Sequence, residues 1–163
     1  MQLGMHFALT DALAERLQAA AGDDEALRAF IAEVEEAGVP SCGTDKAWDP
    51  ISCALAPASA PDRDPEEWPA YGVILGDEDL QEDSDELLVT YLSAEHVPEV
   101  AAWLDTLDEE TFAAAYAVMP EELRNPEYGD EERDYAWGHL DELHAFLTEA
   151  ARAGSHVVFH VEH

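Results

Sequence analysis

Lys46 is the only lysine in the chain. It stands in the segment Asp45-Lys46-Ala47-Trp48-Asp49, between two carboxylates and beside an indole. An ammonium in that setting is expected to pair locally with an acid, while the indole covers an apolar gap and its N–H takes a partner. The segment can be a structural corner, with Trp48 as a core anchor and Lys46 pinned to a neighbouring acid. Alternatively, Asp45, Lys46, Trp48 and Asp49 form one wall of a pocket. Lys46 would then receive an anionic group of a small-molecule ligand or substrate.

No other local constellation supports chemistry. Seven of the ten residues from Asp77 to Glu86 are acidic. That invites a calcium reading, but such a loop needs Gly at its sixth position and Glu at its twelfth. Counting from Asp77 finds Glu82 and Leu88, and counting from Asp79 finds Ser84 and Thr90. Residues 77–86 are therefore expected to be an exposed acidic loop. His156 and His160 share a strand face about 13 Å apart, too far for one ion. His139 and His144 diverge around a helix. His6 reads as a hydrogen-bonded structural residue. There is no GxSxG elbow and no glycine-rich phosphate loop. With 38 acidic residues, paired carboxylates arise by chance and carry no signal. No catalytic residue, metal site or cofactor is expected, which favours a binding protein over an enzyme.

Charge narrows the partners. Seven Lys and Arg against 38 Asp and Glu give a formal net charge of −31. That field repels nucleic acids and anionic membranes, since phosphate-backbone affinity depends on Lys and Arg releasing counterions. A basic protein partner is the complementary expectation, and a merely solvated acidic coat is the bland one. Cys42 and Cys53 form no CxxC and no metal knuckle, so buried thiols are expected. No basic-then-apolar leader and no apolar run near ~18 residues is visible. The expected setting is the cytoplasm.

The elements that must position these groups follow from periodicity. Leu3, Met5, Phe7 and Leu9 alternate on one face of a strand, with Gly4, His6 and Ala8 on its non-core face. Thr10 caps a helix carrying Leu13 and Leu17. A second helix from Asp23 or Asp24 carries Leu27, Phe30, Ile31 and Val34 and stops at Gly38. A turn at 45–49 leads to a helix from Pro50 to Leu55, with Asp49 as its cap. Residues 57–70 contain four prolines and read as a surface loop. Val73-Ile74-Leu75 reads as a buried strand, and Leu87–Leu92 as the next. Helices follow over Val97–Leu104, from the Asp108 cap to Pro120, and over 131–152. Asn125-Pro126 marks a turn between the last two, and Val157, Phe159 and Val161 lie on a closing strand.

In their order, several of these pieces resemble the bacterial YfbM-like family, a group of unknown function. They are Gly4-Met5, the Asp45–Asp49 segment with Ile51, Leu75-Gly76, and Tyr91-Leu92-Ser93 before the Val97 helix. Phe146, Ala150-Ala151, Gly154 and Val157-Val158 complete the set. The chain departs from the family pattern at Ser52, where a His is frequent, and at Asp83-Ser84-Asp85-Glu86, where a Gly- and Pro-containing stretch with an Arg is frequent. The resemblance implies one α+β domain over 1–163, with a mixed sheet, and carries no activity. The pattern as a whole predicts about four strands packed with five to six helices.

Overall fold

Five strands, β1 (Gly4–Leu9), β2 (Ser41–Asp45), β3 (Glu78–Asp79), β4 (Leu87–Leu92) and β5 (His156–Glu162), form one sheet in the order β2-β1-β5-β4-β3. The computed structural model describes residues 3–59, 62–124 and 129–162. Pro61 and the expected turn at Asn125-Pro126 lie outside them. Helices α1 (Asp11–Ala19), α2 (Asp24–Ala37), α3 (Trp48–Leu55), α4 (Gly72–Leu75), α5 (Val97–Leu104), α6 (Glu109–Ala117) and α7 (Asp130–Ala153) surround the sheet. The α+β class holds. Among the described residues the sheet has five strands rather than four, and every pairing is antiparallel where a mixed sheet was expected. The first and last strands lie side by side, from Met5 opposite His160 to Leu9 opposite His156.

Both faces of the sheet are covered. On one, Leu17, Leu27, Phe30, Ile31 and Val34 of α1 and α2 pack on Phe7, Leu9, Val89, Tyr91 and Val158. On the other, Leu140, Leu143 and Leu147 of α7, with residues of α3, α5 and α6, pack on Ala8, Leu92, Val157 and Phe159. Each such aliphatic or aromatic side chain contributes about 1.5–3 kcal/mol when fully buried. Burial on both sides explains the unbroken run Val157-Val158-Phe159. It also corrects the assignment of His6 and Ala8 to a non-core face: His6 is 1% exposed.

The caps follow the sequence. Asp23 accepts the Ala26 N–H at 3.1 Å, Asp108 accepts that of Thr111 at 2.7 Å, and Gly38 and Gly154 close α2 and α7 in left-handed conformations. Pro98 falls in the first turn of α5, where its missing N–H costs nothing. Two local expectations fail. Val73-Ile74-Leu75 belongs to α4, not to a strand, because a three-residue apolar run has no periodicity to choose between the two. And α3 begins at Trp48, with Pro50 inside its first turn and Asp49 within the helix rather than capping it. Residues 57–70 contain two 3-10 turns, Pro57–Ser59 and Pro65–Glu67. Residues 77–86 contain β3 and the buried Leu80. No helix among the described residues is long and apolar enough to cross a membrane.

Candidate functional site

β2 ends at Asp45, whose φ of 47° lies in the left-handed region that aspartate tolerates better than most residues. This kink turns the chain into α3 and exposes the Asp45 carboxylate towards α7. There its Oδ2 accepts the Tyr135 hydroxyl at 2.6 Å. Desolvation, and then the bond to Asp45, push the pKa of this phenol up. Tyr135 thus staples the turn to the first half of α7.

The four corner residues part company at this staple. Trp48 is half-buried with its ring 5.9 Å from that of Phe159, directed toward the sheet. Asp49 accepts the Cys53 thiol at 3.6 Å. Lys46 is exposed and, among the described residues, its ammonium makes no ion pair within 4.0 Å. The local pair expected for it is absent: Asp45 is engaged by Tyr135 and Asp49 by Cys53. Lys46 instead joins Pro50, Glu131, Glu132 and Tyr135 around a cleft of about 250 Å³.

Desolvation raises the Asp49 carboxyl above its usual range, partly offset by the Cys53 bond. Burial and then the nearby Asp49 charge push the Cys53 thiol up to about 12, and burial and Glu142 push Cys42 up to about 11. Both cysteines are free thiols. Since the thiolate is the reactive form, iodoacetamide at about pH 8 is expected to label the folded protein at least tenfold more slowly than the urea-unfolded chain. Equal rates would contradict these environments.

A second concavity lies between α6 and α7. The Trp137 ring covers the fully buried Phe112 at 5.8 Å between centroids and forms an aromatic floor. Asp108, Glu109 and Glu110 at the start of α6, with Asp134 of α7, form an acidic rim around about 480 Å³. Carboxylates suit a helix start, and the Thr111 hydroxyl and N–H hold the Asp108 carboxyl below its usual range. Among the described residues the one cation at the rim is Arg133, engaged by Asp130 at 3.2 Å and Asp134 at 3.3 Å. Arg16, Arg28, Arg63 and Arg152 are likewise paired with acids, and Arg124 donates to the carbonyls of Tyr116 and Ala117. The surplus carboxylates therefore dominate the field over this groove. Trp137 escaped the sequence reading because it lies one position off the Ala136–Leu140–Leu143 stripe. An aromatic beside acids and outside the core stripe was the available signal.

A third polar chain joins three elements. Ala94 N–H donates to His156 Nδ1 at 3.1 Å, which leaves the ring proton on Nε2, donating to Asp11 at 2.8 Å. The Tyr91 hydroxyl lies 2.7 Å from the same Nδ1. This chain ties α1 to β4 and β5.

Residues 2–160 match a family described as a domain of unknown function, DUF1877. Among solved structures, the fold is similar to the crystal structure of a protein of unknown function, YfbM from Escherichia coli. The TM-score is 0.71 at 16% identity, covering 98% of this chain and 99% of that one. At that identity the likeness shows the fold alone. No curated protein matches the sequence.

Proposed function

The chain belongs to the DUF1877 family, and from that membership, which brings no assigned activity, we propose a non-catalytic binding protein that receives a cationic segment of a basic protein between α6 and α7. The observation that carries the reading is the groove itself: carboxylates of Asp108, Glu109, Glu110 and Asp134 around the Trp137 ring. A guanidinium or ammonium over an indole face gains about 0.5–2 kcal/mol, and carboxylates at the rim add charge-assisted hydrogen bonds. The net charge of −31 steers a basic partner inward and repels polyanions. Two cysteines held as thiols agree with a cytoplasmic setting.

Titrating a short arginine-rich peptide while following tryptophan fluorescence tests this. Saturable binding that weakens as salt rises is expected. Trp137→Leu, which keeps Phe112 covered, and Glu110→Gln should each weaken it about tenfold, worth about 1.4 kcal/mol. Neutralising Glu35 and Glu36 on the distant surface of α2 should change it little. Equal losses from both sets of variants would reduce the effect to bulk charge and reject the groove.

A further inference from the structure

Lys46 and Glu131 bring opposite charges to one cleft, and among the described residues neither charge is paired. Of the other groups lining it, the Tyr135 ring is fixed by the bond of its hydroxyl to Asp45. Glu132 is fixed by accepting the Tyr116 hydroxyl at 2.8 Å. Among the described residues, the Lys46 ammonium and the Glu131 carboxylate make no ion pair within 4.0 Å, either with one another or elsewhere. Six of the chain's seven cations are bound to acids or carbonyls, so an open ammonium beside an open carboxylate is the exception on this surface.

From this arrangement we infer that the cleft binds a small zwitterion, an α-amino acid with an apolar side chain. Lys46 takes the carboxylate, Glu131 takes the ammonium, and Pro50 and the Tyr135 ring flank the side chain. A simple anion would meet both Glu131 and a net charge of −31, and a simple cation would meet Lys46. A zwitterion satisfies both groups and carries no net charge into the field. The volume, about 250 Å³, falls below that of drug-sized pockets and suits a ligand of this size. Glu131 and Tyr135 are one helical turn apart on α7, so the carboxylate stands beside the ring. The site is separate from the α6–α7 groove and does not depend on that reading.

Amide chemical shifts followed during titration with L-leucine and L-phenylalanine test the inference. N-acetyl-L-leucine lacks the cation and L-leucinamide lacks the anion. At least one free amino acid should give saturating shifts at Lys46, Glu131 and Tyr135, and each blocked form should bind about tenfold more weakly or worse. Lys46→Gln and Glu131→Gln, both at exposed positions, should each weaken binding about tenfold, while Trp137→Leu leaves it unchanged. Absence of saturable shifts with both free amino acids overturns the inference. So do equal affinities for the free and blocked forms, or shifts centred away from the cleft.

Discussion

Replacing Gly76 by alanine is expected to lower the unfolding free energy by about 3–5 kcal/mol, combining backbone strain with overpacking. Gly76 ends α4 at φ 58°, ψ −158°, a region essentially reserved for glycine. A Cβ there would stand 2.6 Å from the Tyr91 carbonyl oxygen and 2.8 Å from its carbon. That obstacle is backbone of β4, tied to Asp77 N–H at 2.7 Å, and cannot rotate aside as a side-chain tip would. The Gly76 carbonyl also accepts Arg63 Nε at 3.2 Å, so shifting the turn disturbs a second anchor. Gly138, inside α7 with open space where a Cβ would go, is the matched control. Gly138→Ala should raise stability by about 0.5–1 kcal/mol. Urea unfolding of both variants measures the contrast. A Gly76→Ala midpoint close to that of the parent protein would show that the turn has room the geometry denies.

The second large effect is a pH dependence traced to His6. Burial, and then the neighbouring His160, lower its pKa from 6.5 to about 3. It sits between the Phe159 ring at 4.5 Å and the Thr44 hydroxyl at 3.5 Å, and among the described residues no carboxylate is in hydrogen-bond contact with it. The folded state therefore binds a proton less readily than the unfolded one. Its contribution to stability is complete above pH 6.5 and is lost as pH falls towards 3. Between about pH 7.5 and 5 the loss amounts to about 2 kcal/mol. Burial also lowers the pKa of His160, which adds to the fall with the same sign. Protonation of exposed carboxylates relieves self-repulsion and acts the other way, mostly at lower pH. The comparison is accordingly between the parent protein and His6→Leu over the same range. The variant's stability curve should be flatter by about 2 kcal/mol; parallel curves would contradict the buried, uncharged His6.

Where an element's signal was local, the sequence carried it. The α2 stripe of Leu27, Phe30, Ile31 and Val34, the Asp23 and Asp108 caps, and the Gly38 and Gly154 stops all follow from spacing and side-chain chemistry. What depended on distant contacts was not legible. Ser41–Asp45 shows no apolar alternation; it is an edge strand made by backbone pairing to β1. The alternation of β1 is visible in the sequence, but not that helices cover both of its faces, so the face carrying His6 and Ala8 reads as non-core although it is buried. The corner at Lys46 was recognisable as unusual. Its geometry turns on Tyr135, ninety positions from Asp45, whose hydroxyl engages the carboxylate that would otherwise have paired with the lysine. The acidic groove exists only because α6 packs beside α7 and sets Trp137 over Phe112.

The proposal that this surface recognises a cationic segment at one place, rather than by charge everywhere, is tested most directly by mapping an arginine-rich peptide with backbone amide shifts at physiological salt. Saturating changes confined to residues 108–113 and 133–137 are expected, with the Trp137 indole N–H among the largest. Weak, unsaturable changes spread over every acidic face, the outer side of α2 included, would contradict it.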